Sequence, residues 1–147
     1  MRSAHVAAAV AGVCAALAGC QGTGDEDAQG GFGVPIQPSA DAVAGDRQQI
    51  SGTVTVRANG CVDLAVEGEA DSRWVVWPPE TPAADGGAMP ELDGVAVADG
   101  DTVVGTGALV DAEALPDWER DGYFTAFGGF CEAQERGVVV LDDAHLG

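Results

Sequence analysis

Serine and histidine, the residue types that hydrolytic enzymes use most often, are scarce in this chain. Their positions in the sequence match no known catalytic motif. A serine nucleophile needs a histidine base within reach, yet apart from His5 near the N-terminus the chain has only His145, two residues from its end. Beyond the first few residues the serines are Ser39, Ser51 and Ser72, and none stands in a Gly-x-Ser-x-Gly elbow. We therefore predict no catalytic residues and interpret His145 as an exposed tail residue.

Carboxylates are abundant, and two groups of them are candidates for binding a metal ion. The segment Asp99-Gly100-Asp101 places two acidic side chains around one turn, and Asp142-Asp143 stands just before His145. Neither group supplies the oxygen set of an EF-hand loop, which ends in a bidentate glutamate. Turn formation alone explains an Asp-Gly pair. We predict a turn at Asp99-Gly100, no metal site and no cofactor.

Trp74 and Trp77 are the residues best suited to binding, because an aromatic ring offers a large contact area. They stand three apart on a predicted strand, where side chains alternate between the two faces. We expect one of them to pack in the core and the other to lie near the surface, beside Pro78 and Pro79. An exposed tryptophan there suits recognition of a peptide or a glycan. Packing with only partial exposure is the alternative.

The N-terminus carries the most specific pattern in the chain. Arg2 precedes an apolar run that begins at Val6 and closes on Leu17-Ala18-Gly19-Cys20. A short basic start, an apolar middle and small residues at the exit are typical of an export signal. Because it ends in cysteine, the pattern resembles the lipobox of bacterial lipoproteins. The resemblance implies cleavage before Cys20 and acylation of Cys20, so that a lipid on this residue anchors the chain on the extracytoplasmic face of the cell membrane.

An uncleaved anchor is the alternative for the apolar run. The run has about 13 residues, whereas a membrane-spanning helix needs roughly 20. It also consists mostly of alanine and valine. Cleavage therefore remains the expectation, and Cys14 leaves with the signal.

The charge balance excludes some partners. The chain has 24 acidic and 6 basic side chains, all of the basic ones arginine, for a formal net charge of −18. Binding to nucleic acid needs basic groups that neutralise phosphates, and docking on an anionic lipid surface needs them as well. We predict no nucleic-acid partner. High solubility explains the acidity, and the alternatives are a cationic partner, bound cations or salt adaptation.

Two cysteines, Cys61 and Cys131, follow Cys20. In the oxidising surroundings of an exported chain, an even pair is most simply a disulfide. Neither cysteine belongs to a Cys-x-x-Cys pair, which argues against a metal site. We predict a Cys61–Cys131 bridge.

The chain divides into three parts by composition. Residues 1–19 form the signal, and residues 20–47 are rich in glycine, proline and acidic residues, as expected of a lipidated, flexible tether. Within the tether Phe32, Val34 and Ile36 alternate, so a short strand or docking on the domain is the alternative for them. We predict a folded domain over residues 48–147.

Short strands dominate that domain. Alternating β-branched residues from Ile50 to Val56 predict a first strand, and Asn59-Gly60 predicts a hairpin turn. Further strands are expected at residues 61–66, 73–77, 102–110 (with bends at Gly105 and Gly107) and 138–141. The loop 78–91 is functional or disordered. A helical segment lies within residues 117–130, with Trp118, Phe124 and Phe127 as buried anchors.

Five or six strands with one short helical segment predict a mainly β fold, a small OB-like β-barrel, with a small sandwich as the alternative. Gly60-Cys61-Val62, Trp74-Val75-Val76-Trp77-Pro78, the stretch from Asp99 to Val103 and Cys131 together resemble small exported lipoproteins of high-GC bacteria. That resemblance implies no particular activity.

The functional hypothesis is a membrane-anchored, non-catalytic binding or accessory module of the cell envelope, with an envelope protein or a glycan as partner and residues 74–91 as its contact surface. The alternative is a small envelope enzyme with a carboxylate-based site. A pocket lined by paired, buried carboxylates would favour the enzyme.

Overall fold

The fold is mainly β, as predicted. The computed structural model describes residues 33–147, so the predicted signal, Cys20 and the first part of the predicted tether lie outside the described residues. Within these residues the seven strands are β1 Gln48–Val56, β2 Val62–Val66, β3 Arg73–Val76, β4 Glu91–Leu92, β5 Val95–Ala96, β6 Thr102–Val110 and β7 Val138–Leu146. A 3-10 turn at Ala112–Ala114 leads to a helical segment composed of α1 Tyr123–Phe130 and α2 Ala133–Arg136.

Five of these strands close into a barrel in the order β1-β2-β3-β7-β6. Neighbouring strands are antiparallel except for β3 and β7, which run parallel. A closed five-stranded barrel with this mixed order confirms the prediction of an OB-like barrel. Alternation along the strands fills the interior with branched apolar side chains. This inner core contains Ile50, Val54, Val62, Leu64, Val66, Val75, Trp77, Leu92, Val97, Val103, Val139 and Leu141.

A second core lies on the outer face of the barrel, beneath the helical segment. Trp74 on β3 faces this layer, and its ring stacks on Phe127 of α1 with the ring centroids 5.7 Å apart. Trp118, Phe124 and Phe127 are buried there, as predicted. Strand residues such as Val76, Val138 and Val140 supply the other side of the layer. The Trp74-Val75-Val76 part of β3 and the first half of β7 are therefore covered on both faces, which explains their continuously apolar sequences.

Residues 34–47 pack against the barrel, so the prediction of a flexible tether is wrong for this part of the chain. Ile36 forms a parallel bridge with Trp77, the backbone N–H of Trp77 donates to Pro35 O at 2.7 Å, and that of Gln37 donates to Trp77 O at 2.9 Å. Val43 is buried in the outer core. The alternative, docking of the alternating apolar residues, is correct for Val34 and Ile36, whereas Phe32 lies outside the described residues.

Two further local predictions need correction. Strand β7 was expected to end at Asp142, but it continues to Leu146, because a register shift at Thr106/Gly107 lets β6 keep pairing with it. Of the two alternatives for loop 78–91, disorder is wrong, because the backbone N–H of Ala84 donates to Met89 O at 2.9 Å and that of Glu91 to Pro82 O at 2.8 Å. A functional role of this loop stays a prediction.

Candidate functional site

Neither tryptophan is available as a surface contact. Trp74 and Trp77 do face opposite sides of β3, as expected, but their exposed fractions are only 1% and 0%. The expectation of one tryptophan near the surface is wrong, because the barrel has a core on each face of this strand. Sequence alternation identified the two faces but not what covers them.

The predicted disulfide is present. Cys61 and Cys131 are joined by an S–S bond of 2.04 Å, and both are buried. The bridge connects the start of β2 to the end of α1, so it holds the helical segment on the barrel. It closes a loop of sequence separation 70, which constrains the unfolded chain strongly.

A buried ion network lies beside the disulfide. Asp63 on β2 is buried, with Oδ2 lying 3.0 Å from Arg57 Nε and 3.3 Å from Arg136 Nη1. Glu132 joins both arginines from the surface, at 2.7 Å from Arg57 Nη1 and 3.2 Å from Arg136 Nε. Arg57 also donates from Nη2 to the Cys131 carbonyl at 2.5 Å. The network therefore fixes α2 to β2.

The electrostatics of Asp63 point to a structural role. Burial raises its pKa, and the charges of Arg57 and Arg136 and a hydrogen bond from Arg57 oppose that effect without cancelling it. Its Oδ1 has no hydrogen-bond partner among the described residues. The side chain nevertheless faces two guanidinium groups rather than a second carboxylate in a pocket. It therefore lacks the paired arrangement that acid–base catalysis by carboxylates uses.

The other chemistry-bearing residues are dispersed. His145 lies on β7, with Nδ1 3.5 Å from Asp93 Oδ1. The prediction that His145 is exposed is confirmed, but the prediction that it belongs to a tail is wrong, because it is part of a barrel strand. No hydrogen bond joins a serine hydroxyl to His145 within residues 33–147.

The carboxylates of the predicted turn bind backbone groups. Asp99 Oδ1 accepts from the Val56 N–H at 2.8 Å, and Asp101 Oδ2 accepts from the Ala98 N–H at 2.7 Å. The described part of the chain contains no cluster of metal-ligating side chains. These two carboxylates close the turn between β5 and β6.

Every arginine of the described residues is ion-paired. The pairs are Arg47 with Asp41 and Asp142, Arg57 and Arg136 with Asp63 and Glu132, Arg73 with Glu69, and Arg120 with Asp117. An anionic ligand would have to break one of these pairs to gain a cation. A phosphate group would therefore find no arginine within residues 33–147 that is free of a carboxylate partner.

An apolar groove with a volume of about 460 Å³ lies at the end of β3. It lies between the segment before β1, the turn after β3 and the start of α1. We call it the β3 groove, and its lining residues are Ile36, Gln37, Pro38, Glu80, Pro116, Asp117, Tyr123 and Phe124. A recess of this size falls within the range of ligand-binding pockets.

The walls and the rim of the β3 groove differ in chemistry. Ile36, Pro38 and Phe124 contribute apolar surface, whereas Glu80 and Asp117 are exposed carboxylates. Glu80 and Asp117 both have a left-handed backbone, with φ of 61° and 56°. A glutamate such as Glu80 rarely adopts this backbone conformation, whereas aspartate adopts it more often. The groove therefore combines an apolar floor with negative charge at its edge.

One wall of the groove is fastened by Asp142 on β7. Its carboxylate accepts hydrogen bonds from Gln37 Nε2 at 3.0 Å, Arg47 Nε at 2.6 Å and the backbone N–H of Asp41 at 3.4 Å. Burial alone would raise the pKa of Asp142, but these hydrogen bonds and the Arg47 charge outweigh it and hold the pKa below its usual range. The segment that carries Ile36 and Pro38 is thereby held in place.

Helix α1 continues the apolar surface outside the groove. Its sequence contains no charged residue, although 20% of the chain is charged. Phe124 and Phe127 are buried, while Tyr123, Ala126 and Phe130 are exposed on the outer side. A helix that is apolar on both faces usually meets another surface.

The exposed face of α1 was not among the predicted contact residues, although its pattern is present in the sequence. Tyr123, Ala126 and Phe130 follow the i, i+3, i+7 spacing of one helical face. The groove itself had no local signal, because Ile36, Glu80 and Pro116 come from three distant segments. Of the predicted contact surface, residues 74–91, only Glu80 lines the groove.

Comparison with known proteins identifies no relative. No family model matches this chain, and neither a curated protein nor a solved structure is significantly similar to it. Within residues 33–147 no helix combines the length and the apolarity needed to cross a bilayer.

Proposed function

We propose that this chain is an exported, lipid-anchored binding module of the cell envelope, without catalytic activity, whose contact surface is the β3 groove together with the outer face of α1. Cys20 carries the lipid, and residues 21–33 separate the anchor from the barrel. The partner is a component of the envelope. The barrel serves as a rigid support for the contact surface.

The observation that carries this proposal is the continuous apolar surface formed by the groove and α1. Tyr123 belongs to both parts, lining the groove while its side chain is 54% exposed. Exposed contiguous apolar surface is costly in water and marks sites of interaction. The net charge of −18 is explained by solubility. An uncharged helix at the surface of such an acidic chain is not, and therefore needs another explanation.

Two further observations support a location outside the cytoplasm. The four residues Leu17-Ala18-Gly19-Cys20 have the lipobox pattern. The buried Cys61–Cys131 bridge is of the kind that persists in oxidising compartments. These features are independent, since one is a local sequence pattern and the other joins distant parts of the fold.

Photo-crosslinking in intact cells tests the contact surface. Benzoylphenylalanine replaces Tyr123 in one variant and Val95 in a matched control. The control is suitable because Val95, on the small β4–β5 hairpin, has the same 54% exposure as Tyr123 but does not line the groove. Adducts are identified by mass spectrometry.

We expect an adduct of one defined species from position 123 and none from position 95. Absence of an adduct at 123, or the same set of adducts at both positions, would contradict the proposed contact surface. Circular dichroism of both variants establishes that the barrel is intact.

A further inference from the structure

The chemistry of the β3 groove also specifies a class of partner. We propose that the groove binds a cationic amphipathic peptide segment, in which an apolar side chain is flanked by lysine or arginine. This inference rests on the proposed function, because it names the partner of the same surface.

The floor of the groove selects an apolar side chain. Pro38 and Pro116 are rigid, and together with Ile36 and Phe124 they provide a preformed apolar wall. A preformed pocket lowers the entropy cost of binding. The volume of about 460 Å³ is sufficient for one or two large side chains.

The rim selects positive charge. Glu80 has no ion pair among the described residues, and Asp117 has only the exposed Arg120 at 3.0 Å. A cation at the rim therefore gains two carboxylates without displacing a buried pair. The partly exposed ring of Tyr123 adds a face for cation–π contact with a lysine or arginine of the partner.

The electrostatic field of the whole protein also favours a cationic partner. The net charge of −18 attracts cations at long range, and each arginine of the described part is already paired. An acidic or phosphorylated partner would meet repulsion at the rim. The groove is thus complementary to a cationic amphipathic ligand in its apolar lining and its charge.

Calorimetric titration of the full chain in detergent micelles tests this inference. The probe is a capped Lys-Leu-Phe-Lys peptide, and the comparison peptide is Glu-Leu-Phe-Glu with the same apolar centre. A neutral oligosaccharide, cellohexaose, represents a glycan partner. The protein variants are Glu80→Gln with Asp117→Asn, and a control, Glu67→Gln with Asp85→Asn, that removes two exposed carboxylates outside the groove.

We expect the lysine probe to bind about tenfold more tightly than the glutamate peptide, as two surface ion pairs would give, and to lose this advantage as salt is raised. The rim variant should abolish the preference, and the control should keep it. Equal binding of both peptides, equal loss in both variants, tighter binding of cellohexaose, or no binding of the lysine probe would each overturn the inference. The crosslinking result at position 123 is independent of these outcomes, so it separates failure of the partner class from failure of the proposed function.

Discussion

Gln37 Nε2 lies 2.7 Å from the carbonyl oxygen of Leu141, so the chain before β1 is hydrogen-bonded to the middle of the last barrel strand. The two residues are 104 positions apart. This bond, together with the Asp142 contacts beside it, turns a glycine- and proline-rich stretch into one wall of the β3 groove. Both fold stability and the shape of the groove therefore depend on it.

Gln37→Ala should destabilise the barrel by about 1–3 kcal/mol, because it leaves a buried carbonyl without its donor. Urea unfolding followed by tryptophan fluorescence measures the change. Gln48→Ala is the matched control, since Gln48 is exposed at the start of β1. Equal losses in the two variants would mean that the Gln37 contacts do not hold the segment.

Asp142 should make stability depend on pH. Its pKa is lower in the folded state than its ordinary value of 3.8, so its contribution is complete above the unfolded pKa and is lost as pH falls through the folded pKa. Asp142→Asn should therefore cost about 1–3 kcal/mol at pH 7, and its deficit relative to the unmodified chain should shrink below pH 3.8.

Unfolding free energies measured across that pH range check the Asp142 prediction. Asp85→Asn removes an exposed carboxylate that makes no side-chain hydrogen bond in the described residues, and it should follow the unmodified chain throughout. A deficit in Asp142→Asn that stays constant into acid would show that the charge of Asp142 is not what matters.

Replacing either of two neighbouring glycines of α1, Gly128 and Gly129, by alanine should change the free energy of unfolding in opposite directions. A Cβ on Gly128 would lie 2.7 Å from Trp118 Cζ3 and 3.1 Å from Trp74 Cζ3, whereas a Cβ on Gly129 meets nothing within 4 Å. Gly128→Ala should therefore cost about 1–3 kcal/mol through overpacking. Gly129→Ala should raise the free energy of unfolding by about 0.5–1 kcal/mol, because alanine loses less backbone entropy than glycine when it enters a helix.

Thermal unfolding of the two glycine variants gives a direct comparison, since both changes add one methyl group to the same helix. A Gly128→Ala variant as stable as Gly129→Ala would mean that α1 does not pack closely on the two tryptophans.

Loss of the disulfide should cost about 4 kcal/mol, the chain-entropy value for a loop of sequence separation 70. Cys61→Ser with Cys131→Ser removes the bridge, and urea unfolding of the oxidised chain and of the variant measures the difference. A difference near zero would mean that the helical segment is held by the outer core alone.

Local sequence patterns were sufficient to predict the barrel. The alternation from Ile50 to Val56 and the turn at Asn59-Gly60 depend only on neighbouring residues, and both are observed: β1 covers Gln48–Val56, and Gly60 has φ of 88°. The Cys61–Cys131 pair followed from cysteine count and expected compartment, and it too is present.

The features that local patterns did not predict all depend on distant partners. Residues 34–47 acquire their long-range hydrogen bonds from the end of β3, from Leu141 and Asp142 on β7, and from Tyr123. Trp74 is buried because α1 covers it, and β7 passes Asp142 because β6 shifts register at Thr106/Gly107. The β3 groove could not be predicted for the same reason, since its walls meet only in the folded chain.

Intact-mass measurement of the chain recovered from the membrane fraction tests most directly the proposal that this barrel works outside the cell. The mass should correspond to a chain that begins at Cys20, lacks residues 1–19 and carries covalent lipid, and Cys20→Ala should abolish both changes. An unprocessed, unacylated chain in the cytosol would contradict the proposal.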